Sequence, residues 1–189
     1  MRQVLGADFD ADQSLTLARW YSACDRRIHT MEIVATSSQP MLCILTRSSE
    51  RASAIASTVK MSLDQVLSFI DERGIRPVGR PAAVFSDWNG RLVTIEAGYP
   101  VGEVSLALAT GRVQASRIPG GSAAHWSFDT VSADYARRHQ DVADEIRSSG
   151  LRMTGTTWEI YDKDPVSGIG VTEFYAQLLG PRESSPFGG

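Results

Sequence analysis

The chain is short of the features that announce a chemistry. Among its 189 residues are two cysteines, three histidines and a single asparagine. Cys24 and Cys43 are too few and too isolated for a zinc site or a disulfide framework, so a reducing cytosol is the default compartment. Asn89-Gly90-Arg91 is not a glycosylation acceptor. No block of lysine or arginine runs longer than the pairs Arg26-Arg27 and Arg137-Arg138, and the net charge is −3. That lacks the electrostatic footprint of a nucleic-acid binder. No apolar stretch is long enough for a signal peptide or a membrane span. His29, His125 and His139 fall in different elements, and no metal-ligand spacing or serine–histidine–acid arrangement stands out. Gly168-Ile169-Gly170 lacks the strand-before, helix-after context of a phosphate loop. No metal and no cofactor is expected.

What the chain does have is a repeat. Gly74-Ile75-Arg76-Pro77-Val78-Gly79 returns 76 positions later as Gly150-Leu151-Arg152-Met153-Thr154-Gly155. Each copy follows an amphipathic helical pattern. Each is followed by an apolar pair, Val84-Phe85 or Ile160-Tyr161, and then by a strand carrying one glutamate, Thr94-Ile95-Glu96 or Val171-Thr172-Glu173. A repeat of this length is one α+β unit. Two such units are expected to pack around a pseudo-two-fold axis with a groove between them.

The expected boundaries follow from this. Residues 1–30 form an N-terminal extension with one helix over Ser14–His29, and Met31 is an alternative start. Residues 31–179 form the repeated domain, with repeat one at about 31–101 and repeat two at about 113–179. Residues 180–189, rich in serine, proline and glycine, are expected to be a disordered tail. In repeat one, Met41–Leu45 reads as a buried strand and Ser48–Lys60 as a loop with a short helix. Ser62-Leu63-Asp64-Gln65 reads as the capping box of a helix that carries Leu63, Val66 and Ile70 and closes at Gly74. Ala82–Phe85 and Leu92–Ala97 read as a hairpin turned by Asn89-Gly90. Repeat two reads as strands Val113–Ile118 and Ala123–Phe128, a helix with stripe Val131, Tyr135, Val142 and Ile146, and strands Thr157–Tyr161 and Val171–Leu178. The fold class is α+β: two strand–helix–strand–strand repeats that form one curved antiparallel sheet with helices on one face.

The run from about Met31 to Leu179 resembles the GyrI-like small-molecule-binding domains, which include the effector-binding domains of AraC-type and MerR-type activators. The residues that carry the likeness are Glu72 to Pro81, Thr94 to Val101, Ile118-Pro119-Gly120-Gly121, Glu159-Ile160-Tyr161 and Val171 to Tyr175. The resemblance implies a duplicated SHS2 fold and an inter-repeat cleft for bulky, aromatic, often cationic molecules, as in multidrug binding. It implies that a glutamate of the second repeat faces the ligand, and Glu173 occupies that position in this sequence. Two stretches depart from the family pattern: Ser127-Phe128-Asp129 stands where many members have Gly-Pro-Tyr, and Phe174-Tyr175-Ala176-Gln177 lacks the usual proline.

The candidate ligand-binding residues are Glu173, Glu96, Tyr161, Trp126, Tyr99, Tyr175 and Trp88. Alternation on the last strand places Val171, Glu173 and Tyr175 on one face, where a carboxylate between apolar neighbours seeks a cation. Glu96 alternates with Thr94 and with Gly98, which would leave its face open. The aromatics would wall a flat ligand and favour a cation. Three functions stay open at this point. The first is an effector-sensing or drug-sequestering domain for a hydrophobic or cationic small molecule, with no nucleic-acid or membrane partner. The second is a hydrolase of strained cyclopropane electrophiles, with Glu173, Glu96 and Tyr161 as catalytic candidates. The third is an adaptor that meets a protein partner, or a second copy as a homodimer, through the N-terminal helix.

Overall fold

The computed structural model describes residues 31–129, 135–162 and 171–180. The helix expected over Ser14–His29, Val131, the loop at Asp164-Pro165, Gly168-Ile169-Gly170 and the tail after Gly180 lie outside the described residues. Of Tyr135 and His139 only the helical backbone is described.

Eight strands run β1 Glu32–Thr36, β2 Gln39–Ser49, β3 Ala82–Ser86, β4 Leu92–Pro100, β5 Gln114–Ile118, β6 Gly121–Asp129, β7 Met153–Tyr161 and β8 Val171–Leu178. Helix α1 spans Ala52–Glu72 and helix α2 spans Tyr135–Ser148, with a short 3-10 turn at Glu103–Leu108. The strands form one curved antiparallel sheet in the order β1-β6-β8-β7-β3-β4-β2-β5. The two repeats meet at β3 and β7, where Val84 pairs with Trp158 and Ala82 with Ile160.

The repeated text marks the same turn twice. Gly74 and Gly150 both have positive φ, 63° and 71°. Ile75 N–H donates to Ile70 O and Gly74 N–H to Asp71 O; Leu151 N–H donates to Ile146 O and Gly150 N–H to Arg147 O. Both helices therefore end in one Schellman motif, whose left-handed residue glycine adopts without a Cβ clash. Past that turn the copies diverge. Pro77 cannot donate to a ladder, so repeat one enters its strand only at Ala82. Repeat two enters at Met153 and carries a register shift between Met153 and Thr157.

The helix of repeat one starts ten residues before the expected capping box. Its N-cap is Arg51, with no side-chain cap, and Ser62 is buried in mid-helix. Alanine and serine at 52–57 sustain a helix, and Ile55 and Val59 extend the stripe of Leu63, Val66 and Ile70. Of the stretch expected to be a loop with a short helix, 48–49 close β2 and 52–60 are the first half of α1. The β3–β4 turn also differs in detail. Positive φ falls on Asp87 and Gly90 rather than on Asn89, whose Oδ1 accepts from the N–H groups of Arg91 and Leu92.

Strand β1 has no counterpart among the expected elements. β1 pairs with β6 and β2 with β5 in one uninterrupted register, from Glu32↔His125 through Thr36↔Gly121 and Gln39↔Ile118 to Cys43↔Gln114. Each repeat therefore lends its leading strand to the other.

Both faces of the sheet are buried. On the helix side, Ile55, Val59 and Leu63 pack on Phe85, Val93, Ile95 and Tyr161, while Val66 and Ile70 pack on Leu42 and Ile44. Val142 and Ile146 of α2 pack on Trp126, Phe174 and Ala176. On the other face, Met41, Cys43, Ala82, Val84, Ile118, Ala123 and Trp158 meet from five strands, so the curl of the sheet fills its own interior.

Candidate functional site

Alternation along each strand divides the expected site residues between the two faces. Glu173, Tyr175 and Glu96 lie on the interior face, away from the helices. Tyr161, Trp126 and Tyr99 lie on the helix side, and Trp88 lies in the β3–β4 hairpin.

The two interior carboxylates occupy equivalent places. Glu96 pairs with Val84 of β3, and Glu173 pairs with Ile160, the repeat equivalent of Val84 on β7. Each accepts hydrogen bonds from flanking strands. Glu173 Oε2 lies 2.5 Å from His125 Nε2, and Oε1 accepts from Ser127 Oγ at 3.3 Å. The side chains of His125 and Glu173 are only 20% and 18% exposed. Glu96 Oε2 accepts from Ser116 Oγ and from Cys43 Sγ, the latter at 3.9 Å. Burial, and then the nearby Glu96 charge, push the Cys43 thiol up to about 12. Tyr175 is raised by burial and then by Glu173, with Arg80 opposing. Its ring stacks on Trp158 at 5.1 Å and 3° and lies 4.7 Å from His125. The face beside Glu96 is not open. A Cβ at Gly98 would lie 1.9 Å from Leu42 O, so the β2 backbone fills the space that glycine leaves.

The helix side holds a different arrangement. A cavity of about 710 Å³ lies between the N-terminal half of α1, the middle of α2 and the sheet. Its apolar lining comes from Ile55, Phe85, Trp88, Val142, Met153 and Phe174. Its polar lining includes Glu50, Asp87 and Thr157. The irregular stretch Met153–Thr156 of β7 forms one wall, as bulged strands often do beside sites. Trp88 is 41% exposed, with its ring 6.3 Å from Phe85. The hairpin that carries it is tied down: Glu50 Oε1 accepts from Gly90 N–H at 2.9 Å, and Asp87 Oδ2 accepts from Thr94 Oγ1 at 3.1 Å.

Two residues along β7 from cavity-lining Thr157 lies a carboxyl group absent from the candidates that the sequence suggests. Glu159 is 1% exposed and accepts from the Tyr161 hydroxyl at 2.7 Å. It follows Thr157 on the same face of β7 and pairs laterally with Ala83 and Phe174. A signal for it exists: in Thr157-Trp158-Glu159-Ile160-Tyr161, alternation sets the glutamate between a threonine and a tyrosine. Tyr161 is therefore the hydroxyl partner of Glu159. Trp126 is packed under α2, where its Nε1–H donates to Glu145 Oε2 at 3.0 Å and its ring meets Phe174 edge-on at 5.9 Å. Tyr99 packs, half-buried, on the clusters beneath α1. Among the expected residues, Trp88 alone lines the cavity.

The fold is shared with the EcmrR C-terminal domain. That crystal structure superposes with a TM-score of 0.64 at 12% identity, over 82% of this chain and 99% of that one. The cryo-EM structure of an EcmrR–DNA complex gives a TM-score of 0.61 at 12% identity, over 90% of this chain and 66% of that one. SAV2435 bound to tetraphenylphosphonium gives 0.52 at 12% identity, over 80% of this chain and 94% of that one. No family model matches the sequence, and no curated protein matches it either. At these identities the likeness establishes the fold. No described helix is long and apolar enough to cross a membrane, and no group of three or more potential metal ligands occurs among the described residues.

Proposed function

We propose that this chain binds a bulky aromatic small molecule, favouring a cation, in the helix-side cavity between its two repeats. It would act as an effector-sensing or drug-sequestering domain of the GyrI-like kind. The observation that carries this reading is the cavity itself. Its volume suits a drug-sized ligand, its walls hold three aromatic rings, and its rim holds two carboxylates. Glu159, buried on the same face of β7 as cavity-lining Thr157, adds a carboxyl group near this wall. The SAV2435 structure, with an aromatic cation bound on the same fold, supports the ligand class.

The geometry favours binding over strained-ring hydrolysis. A hydrolase needs a carboxylate free to activate water beside the reacting carbon. Glu50 and Asp87, which line the cavity, are each engaged by a bond that holds the hairpin. Glu173 and Glu96 are bonded within the sheet interior. The test is a titration with ethidium or tetraphenylphosphonium, followed by tryptophan fluorescence. Saturable quenching that is lost in Trp88→Ala is the expected result. Quenching unchanged by Trp88→Ala would reject this cavity.

A further inference from the structure

The interior face carries chemistry that the helix-side cavity does not use. His125 on β6, Tyr175 on β8 and Trp158 on β7 stand opposite one another on three neighbouring strands. Their rings form a ladder across the sheet: His125 lies 4.7 Å from Tyr175, and Tyr175 stacks on Trp158 at 5.1 Å. In the next row, Glu173 stands opposite Ser127. One Glu173 oxygen meets His125 Nε2 at 2.5 Å, and the other accepts from Ser127 Oγ at 3.3 Å. The carboxyl group is held from two sides, and it fixes the imidazole ring.

Two polar atoms of this ladder have no hydrogen-bond partner in the protein, His125 Nδ1 and Tyr175 Oη. Among the described residues, Thr157 Oγ1 is the one buried side-chain polar atom left unpaired, so both of these reach solvent. The His125 side chain is 20% exposed, and Tyr175 is half-buried. With Nε2–H donated to Glu173, Nδ1 carries the lone pair, which is the tautomer of a general base. Burial and then the Glu173 charge raise Tyr175, with Arg80 opposing, so its phenol keeps the proton and donates. A base and a donor side by side are the two groups that attack of water on an ester carbonyl requires.

We propose that the interior face is a second, catalytic site that hydrolyses small aryl esters, with His125 as general base and Tyr175 as donor to the carbonyl oxygen. Glu173 and Ser127 are positioning residues, which act through the imidazole. His125 Nδ1 takes a proton from water as the water oxygen bonds to the carbonyl carbon. The carbonyl oxygen becomes an oxyanion and accepts from Tyr175 Oη–H. The intermediate then breaks its bond to the aryloxide, which leaves with the proton from His125. Ester and water give carboxylic acid and phenol, with no other reactant. Partly buried Ile160 and Tyr175 offer an apolar rest for the aryl ring. The neighbouring Trp158, Val84 and Ala123 are buried, so the acyl group has to be small. This site lies on the opposite face of the sheet from the cavity, and either reading can fail without the other.

The test follows nitrophenol release from p-nitrophenyl acetate by the full chain, beside N-acetylhistidine amide at equal concentration. Wild type should be faster than that free imidazole by at least about 100-fold, the low end for a positioned base. His125→Ala should lose the excess, and imidazole added to the buffer should restore part of it. Tyr175→Phe should lower kcat by about 100-fold, the scale of one lost oxyanion donor. Glu173→Gln should lower kcat and leave KM little changed, the pattern of lost orientation rather than lost binding. Wild type no faster than the free imidazole overturns the proposal, and so does His125→Ala at full rate. If His125→Ala is slow and imidazole speeds it no more than it speeds buffer, the loss is one of folding or shape and the base assignment falls. Glu173→Gln with raised KM and intact kcat would overturn its positioning role.

Discussion

Glu96, Glu159 and Glu173 lie on two faces of one sheet, and the face decides what each can do. Glu96 and Glu173 have hydroxyl, thiol or imidazole partners in the interior. Glu159 shares its face with cavity-lining Thr157. Glu159→Gln should weaken a cationic dye by roughly 1–3 kcal/mol, the scale of a charge felt across one strand repeat in a partly desolvated site. A neutral dye of the same shape should be far less affected. Glu173→Gln should leave dye affinity alone and lower the melting temperature, because His125 loses the carboxyl group it hydrogen-bonds. Calorimetric titration and a thermal melt on both variants separate the two. Alternation made the shared face of Val171, Glu173 and Tyr175 legible in the sequence. It could not say which face the helices would cover, because period two fixes relative orientation and not the layer that packs on it. Cys43 offers a pH test. Its thiol is raised from 9.0 to about 12, so the folded state holds this proton more tightly than the unfolded chain. The associated stability is complete below about pH 9 and is lost as pH rises from there toward 12. Cys43→Ala should flatten the fall of Tm over that window, and an unchanged fall would place the titration elsewhere.

At the scale of elements, the Gly-x-Arg-x-x-Gly text predicts two equivalent helix ends, and both are Schellman turns with matching hydrogen bonds. Gly74→Ala and Gly150→Ala should each cost about 1–2 kcal/mol, the penalty of a Cβ in the left-handed region. Denaturant melts check this, and a large gap between the two would undo their equivalence. Gly98→Ala should cost more than either, because its Cβ would collide with the β2 backbone rather than with a yielding side chain. The helix start was illegible for a plain reason. Ser62-Leu63-Asp64-Gln65 has capping-box chemistry, yet Ile55 and Val59 find a core to bury in, and that burial carries the helix through it. The cavity wall was hidden too. The divergence of β7 from β3 comes from Pro77 in one copy and Met153 in the other, within text that shares its two glycines and its arginine.

At the scale of the molecule, duplication was readable and strand exchange was not. A leading strand that pairs across the repeats leaves no local mark, since its partner lies 93 positions away in Glu32↔His125. The exchange makes each repeat dependent on the other: β2 is flanked by β5, and β6 by β1. The described domain should therefore unfold in one cooperative step, and residues 31–110 expressed alone should not fold. A cooperative melt from that fragment would contradict the exchange.

The helix-side cavity, like the duplicated frame around it, is an assembly of both repeats, with Ile55, Phe85 and Trp88 from the first and Val142, Thr157 and Phe174 from the second. The most direct test of its role is a crystal structure of the chain grown with ethidium. Density for the dye among Phe85, Trp88 and Phe174 is the expected result. Dye bound on the interior face beside Glu173 and Tyr175, with the helix-side cavity empty, would contradict it.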